Sequence, residues 1–574
     1  MSNKKWEYGN FEDISDLQNL MTSLDISRPL AKILVNRNIK TFEQAKAFFR
    51  PDIEHLHDPF LMKGMQKAVD RIQDAIDKDE NILIYGDYDV DGTTAVALVF
   101  QYLRNFTDRL HFYIPDRYAE GYGLSEQGIN FAADNDFSLI IALDCGIKAI
   151  EKVGVGVQKG LDFIICDHHQ PGEVLPNAII LNPKQKGCNY PFKELCGCGV
   201  GFKLAQALND SFALPFSEIE HLLDLVMVAI GADMVSVMGE NRILAFHGLR
   251  KLNEAPRIGF HVLLELADKK PPLTVTDVVF TIAPRINAAG RIKSGNKAVE
   301  LLLATSINEA QAIGKEINQY NTERRQIEKE ITKEALHYMT INEAYKNHYV
   351  TVLFDKNWHK GVIGIVASRL IEEYYRPTVV LTESAGKAVG SVRSVKGFNV
   401  YDALMECREY LIQFGGHKYA AGLTMEIDNI ENFRTAFNQV VKKQLDSHSK
   451  VEELDISDEI DLRDIFLAEV NGIPKFARIL KQFAPFGPDN MKPIFVSKNV
   501  RINGEVKWLK DAHAKMTVYQ SDKDIKIEAI GFNFENSKDL LGSKMIDIAY
   551  HIEENNWRNS SKLQLILKDV MCSI

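Results

Sequence analysis

The chain has 574 residues, which at about 150 per domain predicts three to four domains and excludes a single small binding module. Its 45% hydrophobic, 25% charged and 9% aromatic composition is that of a folded, water-soluble protein and excludes a disordered one. The net charge of −10, from 68 basic and 78 acidic residues, speaks against a bulk nucleic-acid binder, although an acidic metal cluster can coexist with a separate basic channel.

The opening MSNKKWEYGNFEDISD lacks the apolar core of a signal peptide, and the longest apolar stretches are broken by aspartate well before ~18 residues, so no membrane segment is expected. Seven cysteines, at 145, 166, 188, 196, 198, 407 and 572, are too sparse for a disulfide-stapled secreted domain and predict a reducing cytoplasm. Residues 1–60 form an N-terminal extension with no assigned role. Within 61–255, the runs NILIYGD, HFYIP, SLIIALDCG, DFIICDHH and AIILNP alternate with helical patterns, predicting a parallel sheet with crossover helices. Asp87, Asp144 and Asp167 each close an apolar run, at the strand ends where open α/β sheets bind ligands.

Residues 256–345 form a connecting region whose Ile313, Ile317, Ile327 and Ile331 recur at helical spacing, predicting a long helix. A second α/β pattern follows over 346–447, in VTVLFD, GVIGIVASRLIEEYY and PTVVLTE. Residues 448–574 carry short strand-like runs separated by turn residues, predicting an all-β domain built as a small barrel. Lys507, Trp508, Lys510, His513, Lys515, Tyr519, Trp557 and Arg558 lie in and beside its strands, a mix suited to stacking bases and tracking phosphates, although aromatics of this kind serve equally well as core.

GDYDVDG places Asp87, Asp89 and Asp91 at alternate positions, which on an extended segment share one face. At ~4 Å and an effective dielectric near 20, each close like-charge pair costs on the order of 4 kcal/mol, so such a cluster calls for cations. An EF-hand is excluded because the twelfth position is Leu98 and a strand precedes the motif. Asp144, Asp167-His168-His169 and Asp233 extend the set. Its oxygen-rich character favours Mn²⁺ or Mg²⁺ over zinc, and a two-ion site of this type hydrolyses phosphate esters. Cys196-Gly-Cys198 lacks paired metal-site halves and reads as buried thiols. GVGVQKG precedes a strand instead of opening a helix, and no G-x-x-x-x-G-K-[ST] occurs, which argues against an ATP-driven motor.

GDYDVDGTT, LDCG, CDHH and GADMV, in this order, resemble the metal-binding motifs of the DHH phosphoesterase superfamily. APRINAAGR, WHKGVIGIVASRL, GSVRSVKGFN and FGGHKYAAGLT resemble the connecting region and DHH-associated domain of one branch, the RecJ single-stranded-DNA exonucleases, and the terminal barrel resembles that branch's oligonucleotide-binding (OB) domain. The likeness covers roughly residues 60 to 574. Ser236 in GADMVSV, and Asp489 and Met491 in PFGPDNMKPIF, depart from the pattern without removing a metal ligand.

The resemblance implies an α/β protein: a parallel-sheet DHH domain joined by a long helix to a second α/β domain, plus a C-terminal all-β OB-type barrel. It implies that Asp89, Asp91, Asp144, His168 and Asp233 hold two Mn²⁺ or Mg²⁺ ions, with Asp87 and His169 binding directly or through those ligands. Arg117 takes the position that grips a 5′-terminal phosphate, where a guanidinium fork matches phosphate oxygens. Arg285, Asn287 and Arg291 would cradle neighbouring phosphates. Arg393, Ser394 and His417 would grip the incoming strand, and Trp508 and Trp557 would stack bases.

The expected activity is 5′-to-3′ degradation of single-stranded DNA to mononucleotides in recombination and repair. Selectivity is expected from a cleft too narrow for a duplex. The implied partners are a single-strand-binding protein and a RecQ-type helicase. The alternative is a phosphodiesterase for short oligonucleotides or cyclic dinucleotides, which does not need the terminal barrel. A non-catalytic scaffold would show eroded ligands, and none is eroded here.

Overall fold

The isoleucine- and leucine-rich runs of the first half build one all-parallel sheet, seen in a computed structural model that describes residues 4–9, 14–342, 348–445, 452–467, 469–470, 473–521, 525–542, 545–557 and 560–573. Its strands are β1 (Asn81–Gly86), β2 (Leu110–Tyr113), β3 (Phe137–Leu143), β4 (Asp162–Cys166) and β5 (Ile179–Leu181). They stand in the order β2-β1-β3-β4-β5, and every pairing is parallel. Alternate side chains enter cores on opposite faces: Ile82, Ile84 and Ile141 on one, Leu83, Tyr85, Ile140 and Ala142 on the other. From β1 the chain first adds β2 on one side and then β3 on the other. That reversal opens a crevice at the carboxyl ends of β1 and β3, where Asp87 and Asp144 stand.

Helices α1 (Val90–Leu103), α2 (Gly197–Ser211) and α3 (Leu223–Asp233) pack on this sheet's first core. The GVGVQKG run lies mostly in the helix Ile150–Gln158, ahead of β4. Farther along, a π-helical turn (Val278–Ile282) runs directly into α4 (Ala283–Ile292), and the long helix expected in the connecting region is α5 (Ile307–Ile341).

The chain divides into two compact units: residues 47–324 with 484–491, and residues 1–46 with 325–483 and 492–574. The second contains the mixed sheet of β6 (Thr351–Phe354), β7 (Thr378–Ser384), β8 (Lys387–Arg393), β9 (Gln413–Gly416) and β10 (Ala420–Met425), in the order β9-β10-β8-β7-β6. Only β6 and β7 run parallel, joined by the crossover helix α6 (Ile363–Glu373).

The terminal domain is the expected barrel. Strands β11 (Phe495–Ile502), β12 (Lys507–Leu509), β13 (His513–Tyr519), β14 (Ile527–Gly531), β15 (Ile546–Trp557) and β16 (Ser560–Cys572) run in the order β11-β15-β16-β14-β13-β12. Pairing of Arg501 and Ile502 with Tyr519 and Val518 closes β11 onto β13, giving a five-stranded OB-type barrel with β12 as an added edge.

The N-terminal extension has a structural task that the sequence left open. Lys4–Tyr8 pairs in parallel with Glu452–Ile456, and the Trp6 indole donates to Asp569 Oδ2 at 2.7 Å. Buried Lys32 donates to Asp458 Oδ1 at 2.9 Å, while Arg28 takes the other oxygen at 3.0 Å. These residues brace the barrel unit. Residues nearer 60 serve the other unit, where buried Lys203 bonds the His57 carbonyl (2.6 Å) and Glu240 (3.0 Å). Among the described residues no helix is long and apolar enough to cross a membrane.

Candidate metal centre

The GDYDVDG segment is not extended, contrary to the expectation from alternation. Asp87 leaves β1, Asp89 is the N-cap of α1 and accepts the Gly92 amide at 3.1 Å, and Asp91 lies in the helix's first turn. Aspartate is among the best N-caps because its oxygen satisfies an otherwise orphaned amide, and the apolar TTAVALVF that follows favours helix over strand. Gly92 is required for this turn: a Cβ there would lie 2.5 Å from the Asp87 carbonyl oxygen. The turn still keeps the carboxylates close enough to repel, Asp89 acting on both Asp87 and Asp91.

A second helix start fixes Asp91. Its two oxygens accept the amides of Gly197 (2.6 Å) and Cys198 (2.7 Å), in the first turn of α2. A helix N-terminus favours negative charge, so this clamp orients the carboxylate. Cys196 Sγ accepts the Gly199 amide as N-cap, and Cys196 and Cys198 are buried free thiols. The CGCG motif is therefore the foot of the aspartate clamp.

Asp144, with φ +59°, follows β3, and His168 and His169 follow β4. Asp233 is the last residue of α3, whose helix ends at Met234 with φ +55°. These elements bring three carboxylates around one imidazole nitrogen. Nε2 of His168 lies 3.2 Å from Asp144 Oδ1, 3.6 Å from Asp233 Oδ2 and 3.8 Å from Asp91 Oδ2. A second group shares Asp144 and His168 and adds His169, whose Nδ1 is 4.0 Å from Asp144 Oδ1.

Asp167, which the sequence places in the metal-binding set, instead steadies this arrangement, as does Tyr122, to which the sequence assigns no role. Both oxygens of Asp167 are taken up: its Oδ1 stands 2.8 Å from His169 Nδ1, and its Oδ2 accepts the Ile147 amide at 2.9 Å. Burial opposes its charge, but hydrogen bonding and attraction from His169 prevail and lower its pKa. Tyr122 donates to the Asp144 carbonyl at 3.1 Å and lies beside His169. CDHH places an acid next to the histidines, but which way it points depends on the loop; nothing local marks Tyr122.

The chemistry of the donor set fits divalent cations. Burial, and then repulsion from neighbouring carboxylates, pushes Asp91 up to about 7 and Asp233 up to about 9, and lifts Asp87 and Asp144 well above the carboxylate range. Oδ1 of Asp87 and Oδ1 of Asp144 accept no hydrogen bond among the described residues. Acceptor oxygens crowded together without donors are what a hard cation relieves, and oxygen with one or two imidazoles suits Mn²⁺ or Mg²⁺.

Several candidate phosphate-binding residues lie in the same unit. The Arg117 guanidinium sits 4.8 Å above the ring of Tyr88, the neighbour of Asp87. Arg291 is close by: Tyr118 donates to its carbonyl, and a Cβ on Gly290 would lie 2.5 Å from the Tyr88 carbonyl. Arg285 bonds Asn318 Oδ1 (3.0 Å) and the Thr281 carbonyl (2.7 Å), so part of its fork holds α4 to α5; Asn287 is half-buried on α4. The 484–491 loop belongs to this unit too. The Val237 amide donates to the Pro488 carbonyl, and Asp489 adopts φ +61°, a left-handed conformation that aspartate tolerates better than most side chains.

The remaining candidates belong to the other unit. Arg393 ends β8 and donates to Ser391 Oγ and the Val392 carbonyl, both at 2.9 Å. Ser394 donates to the Phe398 carbonyl at 2.9 Å, and its amide bonds Tyr419; His417 sits in the turn between β9 and β10. The three share one end of the β8–β10 pair. In the barrel Trp508 is half-buried on β12 with Lys538 Nζ 4.9 Å above its ring. Trp557 closes β15, but its side chain, like Arg558 as a whole, lies outside the described residues.

Residues 81–230 match the N-terminal domain of the DHH family, residues 346–443 the DHHA1 domain and residues 464–569 the RecJ OB domain. The single-stranded-DNA-specific exonuclease RecJ of Bacillus subtilis is 37% identical over 581 residues, spanning 100% of this chain and 71% of its own. That of Haemophilus influenzae is 31% identical, with 90% of this chain and 92% of its own covered. The crystal structure of RecJ from Thermus thermophilus in complex with Mn²⁺ superposes with a TM-score of 0.85 at 25% identity, over 100% of this chain and 80% of that one. An exonuclease RecJ bound to manganese matches with a TM-score of 0.58 at 31% identity, over 67% of this chain and 95% of that one.

Proposed function

The chain belongs to the RecJ family of single-stranded-DNA-specific exonucleases, and we propose that it degrades single-stranded DNA from the 5′ end to mononucleotides by metal-assisted phosphodiester hydrolysis. What carries this reading is the convergence of Asp91, Asp144 and Asp233 on Nε2 of His168. Asp91, Asp144, His168 and Asp233 would hold one cation. Asp87, Asp89 and His169 would complete the place of a second, sharing Asp144. Two divalent cations, when bound, supply the Lewis acidity that makes water a nucleophile at neutral pH and neutralise charge at phosphorus.

The chain's own groups do the positioning. The α2 amides fix the Asp91 oxygens, and Asp167 fixes the His169 ring, so the ligands need no reorganisation when charge develops. Arg117, on the Tyr88 side of the cluster, takes the 5′-terminal phosphate, and this grip selects a free 5′ end, with Arg291 beside it on a neighbouring phosphate. Arg285 and Asn287 hold a following phosphate. Arg393, Ser394 and His417 guide the strand, while the barrel, through Trp508 and Trp557, supplies stacking and salt-dependent affinity.

We assign the limits 1–60, 61–255, 256–345, 346–447 and 448–574 to the extension, DHH domain, connecting region, DHH-associated domain and barrel. The enzyme works in the cytoplasm, in recombination and repair, on strands opened by a RecQ-type helicase and covered by single-strand-binding protein. The test is digestion of a 5′-phosphorylated, 3′-labelled single strand with Mn²⁺, beside a blunt duplex. Shortening of the single strand from its 5′ end alone supports the proposal. Intact long strands with cleavage of dinucleotides would favour the small-substrate alternative.

A further inference from the structure

Phe280 is 74% exposed in a segment otherwise turned into the core, where Val278, Thr281 and Ile282 are buried. It lies in the π-helical turn Val278–Ile282 that runs into α4. π-turns shift helical register at the expense of backbone regularity and mark functional positions, because the shift re-aims one side chain. Along the combined rod, Phe280, Pro284, Asn287 and Arg291 fall on one face, and all four escape full burial, whereas Ala283, Ile286, Ala288 and Ala289 are buried.

The rod passes beside the metal cluster. At its beginning Val278 packs on α3 next to Asp233: a Cβ on Gly231 would lie 3.3 Å from the Val278 side chain. At its end Gly290 abuts Tyr88, the neighbour of Asp87. Eleven residues separate Phe280 from Arg291, about 16 Å at the helical rise, the reach of a short run of nucleotides. The face therefore offers an exposed aromatic ring at one end and a guanidinium beside the phosphate-binding arginine Arg117 at the other.

On the reading of the site given above, we propose that Phe280 is a stacking platform for one base of the bound single strand, a few nucleotides from the 5′-terminal phosphate. An aromatic ring and a cation on one face match the alternation of base and phosphate along a single strand, and stacking accepts any base. A duplex cannot use the platform, because its bases are already stacked and paired. Phe280 thus adds to the preference for single strands and binds without touching the reacting atoms.

The test is a cycle of KM measurements on full-length wild-type and Phe280→Ala protein with Mn²⁺, using 5′-phosphorylated single strands in which one nucleotide at a time is abasic. For the intact strand, Phe280→Ala raises KM about tenfold, the scale of one base–aromatic stack, with kcat little changed, and Phe280→Trp restores it. At one abasic position the wild-type KM rises similarly while the Phe280→Ala variant loses nothing further. An unchanged KM in Phe280→Ala, or abasic effects that multiply with it at every position, overturns the platform while leaving the exonuclease intact. Failure of the wild-type protein to shorten any strand overturns the exonuclease reading and the platform with it.

Discussion

Gly197 and Asp144 are in such close contact that a single methyl group cannot be placed between them: a Cβ on Gly197 would lie 2.5 Å from both Cβ and Oδ1 of Asp144. The same residue donates its amide to Asp91. One glycine therefore sets the spacing of two carboxylates, Asp91 from the first turn of a helix and Asp144 from a strand end. Gly197→Ala is expected to push the start of α2 away and loosen both. The hydrolysis rate at limiting Mn²⁺ should fall about 10–100-fold, the scale of losing a supporting contact around a metal ligand, with partial recovery at saturating Mn²⁺. Rate against Mn²⁺ concentration checks this; an unchanged curve would mean the clamp is dispensable.

Asp167 holds His169 through Nδ1 at 2.8 Å and has its other oxygen on the Ile147 amide. Asp167→Asn keeps the shape but removes the charge that raises the His169 pKa against the opposing effect of burial. Activity is expected to fall about 10–100-fold while circular dichroism and melting temperature stay near wild type. A variant as active as wild type would leave Asp167 without a positioning role.

All four tryptophans, Trp6, Trp358, Trp508 and Trp557, belong to the unit that contains the barrel, so their fluorescence reports that unit alone. Lys32→Met leaves Asp458 buried with only the half-exposed Arg28 as partner. Removing one member of a buried pair costs about 3–5 kcal/mol, whereas replacing both by apolar groups is nearly neutral. Denaturant unfolding followed by tryptophan fluorescence should show a loss of this size for Lys32→Met and recovery of most of it in Lys32→Met/Asp458→Leu.

His551 in β15 meets the Pro493 carbonyl oxygen through Nδ1 at 2.7 Å, and burial drives its pKa down to about 4. Its neutral form belongs to the folded state, so the unfolded chain binds the proton first. The stability it contributes is present above the unfolded value near 6.5 and is lost as pH falls from there through about 4, by about 3 kcal/mol in total. Tryptophan-monitored unfolding between pH 7 and 4 should show this slope in the wild type and a shallower one in His551→Gln.

Much of the candidate site was legible because its acidic and imidazole groups sit where apolar runs stop. Asp87, Asp144 and His168 end strands, and a strand's end is visible in sequence as the point where burial gives way to polarity. The local path of GDYDVDG was misread because alternation of three aspartates imitates a strand, whereas Asp89 followed by Gly92 and an apolar run carries a helix-start signal. The clamp on Asp91 was invisible: its donors are backbone amides about a hundred residues away, and amides have no spelling. The pairing of Lys4–Tyr8 with Glu452–Ile456 was hidden for a related reason, since a five-residue parallel pair across the length of the chain leaves no local pattern. The exposure of Phe280 follows from a π-turn, which no periodicity announces.

Phosphodiester hydrolysis is expected to depend on two divalent cations held at the Asp144 cluster. The measurement is calorimetric titration of metal-free protein with Mn²⁺, for wild type and Asp144→Asn, with the same samples assayed on a 5′-phosphorylated single strand. Two bound ions and 5′-to-3′ shortening are expected for the wild type, and fewer than two ions with no shortening for the variant. Full hydrolysis by Asp144→Asn, or hydrolysis by wild type in excess chelator, would contradict this dependence.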